Sequence, residues 1–240
     1  EALCAWLEEE GSSAFYREAD PPRVCYAYFP PDQAPPDPAG LGAFPGVNLL
    51  EAEAFGDEDW LAKSREGFGA FEVGRRFHVR PLWDENPGPA ERLDLVVNPG
   101  LAFGTGGHET TRLCMELLED LAAEGRLQGP ILDIGAGTGI LSLAAHLLGG
   151  RQLRAFDIDP DCGPAMAELI ELNAHLLKGT RPYDSFVGTL DDPRADGPYT
   201  GLLANILLVT IQELLPRMAQ LAAPGGWLIA SGILAERTDE

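Results

Sequence analysis

The chain has 240 residues, 45% of them hydrophobic, and a formal net charge of −21, which suits one large domain or one domain with a small appendage. The negative charge disfavours direct binding of nucleic acid, and no run of about 18 apolar residues predicts a membrane span. Four widely separated cysteines show neither metal-ligand spacing nor a disulfide framework, so we expect a cytoplasmic protein with reduced thiols and no metal site.

Residues 1–50 predict a small N-terminal domain. The stretch ALCAWLEEEG has helical spacing and places Leu3, Trp6 and Leu7 on one face. AFYREA and VCYAYF have the pattern of short strands. Residues 30–46, which follow, are rich in proline and glycine and predict a loop.

Residues 51–75 predict a linker with a helix over about residues 57–66, and residues 76–240 predict the main domain. FEVGRRFHVRPLW has strand character, and after it the strand patterns LDLVVNP, PILDIG, LRAFDID, DSFVGTL, TGLLANIL and GGWLIASGI alternate with helical patterns. In the first of these helices three leucines are in register: Leu113, Leu117 and Leu121. The alternation requires crossover connections and predicts an α/β fold with a parallel sheet.

The stretch ILDIGAGTG is the strongest indication of a ligand site. A buried strand ends in Asp133, a turn with Gly135, Gly137 and Gly139 follows, and then a helix begins. Glycines there allow a tight turn and a close approach of ligand to the main chain. The dinucleotide fingerprint requires Gly or Ala at the sixth position, which is Ile140 here, so the pattern favours a different nucleoside cofactor.

Asp157 ends the next strand, 18 residues after Gly139. A carboxylate at that place can accept hydrogen bonds from two ribose hydroxyls. The alternative for the whole pattern is a strand–helix turn that serves the fold alone.

The segment NPGLAFGTGGHETT, residues 98–111, is a glycine-rich loop that leads into a helix. It contains no Gly-Lys-Ser/Thr sequence, and Arg112 stands where a zinc-protease motif needs its second histidine. Thr110 or Thr111 is predicted to cap the helix, and free amides at that end can hold a carboxylate. A lone His108 is more typical of a structural residue than of a catalytic one.

Asn205 closes the apolar run of LLANIL at the end of the predicted fourth strand. Ligands of open parallel sheets bind beyond the carboxyl ends of the strands. We therefore expect Asn205, Asp157, Gly135 and the 98–111 loop to meet at one site, with a plain turn residue as the alternative for Asn205.

Three stretches resemble one family in order and spacing: NPGLAFGTGGHETT, then LDIGAGTGILSLAAHLLGG with FDIDP, then LLANIL with PGGWLIASGIL. They are similar to the ribosomal protein L11 methyltransferases over roughly residues 57–235. The resemblance implies a Rossmann-like class I methyltransferase sheet and a small, ferredoxin-like α+β domain at the N-terminus that lacks its first strand. The family continues through a helix and a pair of strands, so we expect those C-terminal strands to be missing here.

The resemblance also implies S-adenosylmethionine as the cofactor and a basic large-subunit ribosomal protein as the substrate. The implied reaction is methylation of lysine side-chain amines, and of an N-terminal amine, up to trimethylation. Phe103 would line the cofactor or lysine channel, and Asn205 and His108 are the other catalytic candidates. The implied cofactor-binding residues are Thr105, Thr111, Gly135, Gly137, Gly139, Asp157 and Asn205.

These residues suit methyl transfer to an amine. An apolar site around Leu101, Phe103 and Ile206 would favour the neutral, nucleophilic form of a lysine, and the side-chain oxygen of Asn205 would orient it. The acidic surface suits a basic substrate, and no exposed apolar stripe is evident, so we expect a monomer. The alternatives are a methyltransferase of this fold with another substrate, and an inactive binding module.

Overall fold

The computed structural model describes residues 68–99 and 106–232, together with single residues and short stretches between residues 3 and 47. The chain forms two compact units, Glu1–Lys63 and Ser64–Glu240. In the described part of the chain, no helix combines the length and the apolar character needed to cross a membrane.

The first unit contains a small antiparallel sheet. Strand β1 (Ala14–Arg17) pairs with β2 (Cys25–Tyr28), which confirms the two predicted strands. Leu3, Trp6 and Leu7 are helical, as their spacing predicts. The ferredoxin-like topology of this unit stays a prediction.

The second unit contains a smaller sheet of three strands, β3 (Phe71–Val73), β4 (Phe77–Pro81) and β5 (Leu93–Val97), in that order. β3 and β4 are antiparallel, whereas β4 and β5 are parallel. β3 lies within the predicted linker 51–75, whose helix at about residues 57–66 falls outside the described residues. The domain boundaries stay a prediction.

The main sheet has five parallel strands and confirms the predicted α/β fold. Its order is β10-β9-β6-β7-β8, and apolar clusters cover both faces. The strands are β6 (Pro130–Ile134), β7 (Gln152–Asp157), β8 (Asp184–Val187), β9 (Tyr199–Asn205) and β10 (Ala222–Ser231). The helices are α1 (Glu109–Ala123), α2 (Ile140–Leu147), α3 (Cys162–Leu172), α4 (Ala174–Leu177) and α5 (Leu208–Leu221), with a 3-10 turn at Pro193–Ala195.

The expected apolar face of α1 is wrong at two of its three leucines; the third, Leu121, is partly buried against the core. Leu113 and Leu117 are exposed, whereas Cys114, Met115 and Leu118 are buried. The reason is that α1 packs on β10, β9, β3 and α2 together, so its buried face is set by four neighbours rather than by the leucine spacing.

LDLVVNP forms the predicted strand as β5, which pairs with β4. One further element differs from the sequence pattern. PAMAELIELNAHLLKG becomes two helices because Asn173 leaves the helical conformation between α3 and α4. Residues 233–240 lie outside the described part of the chain, so the expectation about the family's C-terminal strands stays a prediction.

Candidate active site at the carboxyl edge of the sheet

One row of residues crosses the carboxyl edge of the five-stranded sheet. The pairing of β6 with its two neighbours places Gly135 between Asn205 and Asp157. Ser231 pairs with Asn205 on one side, and Val187 pairs with Asp157 on the other. The parallel sheet therefore brings together Asn205, Gly135 and Asp157, as the sequence predicts.

The glycine turn after β6 is sterically required by the protein itself. Gly135 has φ +68°, and a Cβ there would lie 2.4 Å from the Ile206 side chain. Gly139 has φ +82°, and its Cβ would lie 2.4 Å from the Tyr183 hydroxyl. Gly137 also has a positive φ, +55°. These positions exclude side chains whether or not a ligand approaches the backbone.

Asp157 locks this turn. Its Oδ2 accepts a hydrogen bond from Gly137 N at 2.8 Å, and its Oδ1 accepts one from Asp159 N at 3.1 Å. The Cys162 thiol also forms a hydrogen bond with Asp157. A carboxylate offers about four acceptor positions, so Asp157 keeps capacity for a further hydroxyl donor, and a ribose can displace the weakly bonded thiol. This is the acceptor arrangement that a ribose ring needs.

The first turn of α1 is fastened to the ends of β9 and β10. Asn205 Nδ2 donates to Thr111 Oγ1 at 3.2 Å, and Thr111 is buried. One turn further along α1, the Cys114 thiol forms a hydrogen bond with Ser231. Since the amide nitrogen of Asn205 points to Thr111, its oxygen stays available as an acceptor; among the described residues it forms no hydrogen bond.

His108 caps α1, so the prediction of a threonine cap is wrong. The His108 Nδ1 accepts from Thr110 N at 3.3 Å and lies 2.7 Å from Thr110 Oγ1. An unprotonated imidazole nitrogen can replace the usual carboxylate or hydroxyl oxygen at this position. Thr111 is consequently directed into the site instead of onto its own helix.

A buried carboxyl lies beneath the row. Asp133 is buried and accepts a hydrogen bond from Ser142 Oγ at 2.8 Å. Burial raises the pKa of Asp133 to about 6, although the Ser142 hydrogen bond opposes the shift. A cavity of about 10 Å³, the size for one water molecule, joins Asp133 to Thr111 and Asn205.

Exposed apolar side chains surround the row, and the sequence analysis missed them. Ile158 is 72% exposed directly after Asp157, Val187 is 39% exposed at the end of β8, and Leu207 is 70% exposed just after Asn205. Large aliphatic side chains at that exposure indicate a surface that a ligand or partner covers. The available signal was an apolar residue within one or two positions of a polar strand end.

The remaining predicted residues are not placed by the structure. Leu101, Phe103 and Thr105 lie outside the described residues. Cys162, which lies beside Asp157, is not a nucleophile. Burial and three neighbouring aspartates raise the pKa of its thiol to about 12.

A larger cavity, of about 500 Å³, lies at the opposite, amino edge of the sheet. It is lined by residues such as Arg154, Tyr183 and Tyr199, and by none of the row. Because ligands of this fold bind at the carboxyl edge, we place the site at the row.

The residues at the carboxyl edge fit S-adenosylmethionine. Asp157 supplies acceptors for a ribose, and Ile158 and Val187 supply apolar surface for a purine. The side chain and the carbonyl of His108 already accept hydrogen bonds from the amides of Thr110, Thr111 and Arg112, so the first turn of α1 does not offer these amides to a carboxylate, contrary to the expectation from the sequence. No strongly basic side chain is needed at any of these places.

Comparisons with known proteins identify the family of this chain. The sequence profile of the PrmA family, described as ribosomal protein L11 methyltransferase, matches residues 44–240. A ribosomal protein L11 methyltransferase of a Geobacter species is 35% identical over 218 residues, which is 90% of this chain and 68% of that protein. One from Synechococcus elongatus is 36% identical over 257 residues, 100% of this chain and 83% of that protein. The crystal structure of a ribosomal protein L11 methylase from Lactobacillus delbrueckii subsp. bulgaricus matches with a TM-score of 0.57 and 29% identity, and the match covers 69% of this chain and 81% of that chain.

Proposed function

Because this chain belongs to the ribosomal protein L11 methyltransferase family, we propose that it methylates ribosomal protein L11 on lysine side-chain amines and on the N-terminal amine, up to trimethylation. The observation that carries the proposal is the contact between Asn205 and Thr111. It joins the last residue of the 98–111 segment to the strand end where an acceptor amine would be oriented.

Cofactor binding uses the half of the row around Asp157. S-adenosylmethionine supplies a methyl group activated on a sulfonium. The remaining acceptor capacity of Asp157 would bind its ribose, and Ile158 and Val187 would pack on its adenine. Thr111, Gly135, Gly137, Gly139 and Asn205 frame this place, and Thr105 stays a prediction.

The acceptor amine would lie beside Asn205. A lysine amine has a pKa of about 10.4 and must lose its proton before it attacks. The apolar side chains of Ile206 and Leu207 favour the neutral amine by reducing its hydration. The side-chain oxygen of Asn205 would accept one N–H and direct the lone pair, since its nitrogen is already engaged by Thr111.

The catalytic contribution is mainly alignment and exclusion of water. Holding an amine and a methyl donor in line can supply several kcal/mol of the barrier, roughly 7 or more in well-oriented cases. A strong general base is not needed once the amine is neutral. His108 serves as the cap of α1, and its catalytic role, like that of Phe103, stays a prediction.

The partner of this site is a basic protein. The net charge of −21 favours encounter with a lysine-rich substrate and opposes contact with nucleic acid. We propose that the enzyme acts as a monomer in the cytoplasm, where it would meet newly made ribosomal protein. Light scattering of the purified protein with and without its substrate tests the monomer.

Mass spectrometry after incubation with labelled S-adenosylmethionine and L11 from an unmodified strain tests the reaction. We expect methyl groups on L11 lysines, loss of transfer in Asn205→Ala, and normal transfer in the matched control Asn86→Ala, an exposed residue outside the site. Labelling of a different protein, or no labelling despite cofactor binding, would contradict the proposed substrate or the activity itself.

A further inference from the structure

Asn173 forms a buried clamp on strand β5. The residue is 0% exposed and lies between α3 and α4. Its Oδ1 accepts from Val96 N at 2.8 Å, and its Nδ2 donates to Val96 O and to Leu169 O, both at 2.8 Å. One side chain therefore satisfies both polar backbone groups of Val96.

The clamp replaces a missing strand partner. β5 is an edge strand whose one neighbour is β4, and Val96 turns its N–H and C=O away from that neighbour to Asn173. Buried backbone groups need such partners. The same hydrogen bonds explain why the helix breaks at Asn173, since its amide competes for the carbonyl of Leu169.

A second contact ties the next part of the chain to the same helix. Asn98 Nδ2 donates to Glu168 Oε1 at 2.8 Å, five residues before Asn173. Asn98 begins the segment that leads to α1, and the far end of that segment is fixed by the His108 cap and the contact between Thr111 and Asn205. α3 itself begins at Cys162, directly after the loop that follows Asp157.

We propose that Asn173 is a positioning residue for methyl transfer. By fixing Val96 it sets the place from which the chain leaves β5 toward the first turn of α1, and it links that place to the helix that follows Asp157. The inference rests on the proposed function and concerns a side chain that touches neither substrate nor cofactor.

Asn173→Asp tests the clamp with almost no change of shape. The new carboxylate still accepts from Val96 N, but an oxygen now faces the carbonyls of Val96 and Leu169. Glu119→Gln is the matched control: Glu119 is 4% exposed, and its carboxylate accepts from Arg75 N at 2.8 Å and from Arg76 N at 2.8 Å, at the turn between β3 and β4. Asn173→Asp replaces an amide by a carboxylate, and Glu119→Gln replaces a carboxylate by an amide. Each replaced group is buried and forms hydrogen bonds with the backbone of another segment.

We expect both variants to lower the melting temperature. Only Asn173→Asp should also lower kcat for L11, by about tenfold or more. The Kd for S-adenosylmethionine should change by less than about threefold. Equal loss of kcat at equal loss of melting temperature would reduce Asn173 to a structural residue. Asn98→Ala, which breaks the exposed contact with Glu168, is expected to lower kcat in the same direction without unfolding, and wild-type kcat in that variant would count against the proposal.

Amide hydrogen exchange separates this proposal from the proposed function. In Asn173→Asp we expect faster exchange at Val96 and at residues 106–111, and unchanged exchange in β6 and β7. This readout requires no methylation. If the wild-type protein fails to methylate L11, the proposed function falls, and the exchange at residues 106–111 still decides whether Asn173 positions this part of the chain.

Discussion

Asn205 and Thr111, 94 residues apart in the sequence, are joined by a hydrogen bond of 3.2 Å between amide nitrogen and hydroxyl oxygen. In this contact the Asn205 nitrogen donates to the Thr111 hydroxyl, which leaves the amide oxygen as the acceptor. A group that orients a nucleophile must itself be held in place. The hydroxyl of Thr111 is therefore expected to contribute to catalysis through Asn205.

Thr111→Val removes that hydroxyl and keeps the shape of the side chain. We expect kcat for L11 to fall about fivefold, since one hydrogen bond of this kind contributes about 1 kcal/mol. Steady-state kinetics with purified L11 measure the effect. Thr110→Val is the control, because the Thr110 hydroxyl contacts His108 and does not contact Asn205; equal losses in the two variants would show that the helix end alone matters.

Asp157→Asn is expected to weaken binding of S-adenosylmethionine by at least about tenfold, because a carboxylate accepts hydroxyl hydrogen bonds more strongly than an amide oxygen does. Calorimetric titration gives the Kd. Asp159→Asn changes the same charge in the same loop, where Asp159 Oδ1 accepts from Asp161 N. An equal change of Kd in both variants would assign the effect to net charge and not to the Asp157 contacts.

Gly135→Ala separates the steric and the conformational roles of the turn. Gly125 has φ +72° with open space around it, so Gly125→Ala should cost about 1 kcal/mol of unfolding free energy for its backbone conformation alone. Gly135→Ala adds the clash with Ile206 and should cost about 2 to 5 kcal/mol. Urea unfolding measures both. Equal costs would mean that Ile206 moves aside freely.

Asp133→Asn should stabilise the protein more at high pH than at low pH. In the folded protein the pKa of Asp133 is raised from the ordinary 3.8 to about 6. Between pH 3.8 and about pH 6 the folded protein therefore keeps a proton on this carboxyl that the unfolded chain has lost. The wild-type contribution is therefore present at low pH and is lost as the pH rises through about 6. The gain in the variant should grow by about 1 to 2 kcal/mol between about pH 5 and about pH 8, and a gain independent of pH in unfolding experiments would contradict the shift.

Leu207→Ser tests the apolar surface beside Asn205. If that surface receives the substrate protein, KM for L11 should rise about tenfold, since covering one leucine contributes about 1.5 to 3 kcal/mol. The Kd for S-adenosylmethionine should not change. Leu117→Ser removes another exposed leucine, on α1 and away from the row, and a matching rise of KM in that control would argue for general surface effects.

Much of the site could be predicted from local sequence. The glycine turn, Asp157 and Asn205 each stand at a strand end, and strand ends are marked by buried apolar runs of a recognisable length. Since the sheet is parallel, those ends must meet at one edge. The sequence therefore predicts the row before any coordinates are known.

The rest depends on contacts between distant segments. Nothing local distinguishes His108 from a catalytic histidine, because its capping role depends on where α1 begins. The pairing of β5 with β4 is decided by which edge is available, and the break at Asn173 follows from a hydrogen bond to Val96, 77 residues away. The exposure of Ile158 is likewise a property of the assembled edge and not of its own segment.

The row from Ser231 to Val187 has a consequence for how this chain tolerates insertions and deletions. Side chains alternate between the two faces of a strand, so a change of one residue inside β9 or β7 would turn Asn205 or Asp157, respectively, to the wrong face and shift it along the sheet. A change of the same size in a connection at the amino edge leaves the register intact. We therefore expect natural relatives to vary in length at the amino-edge connections and to keep the spacing from each strand core to its polar end residue.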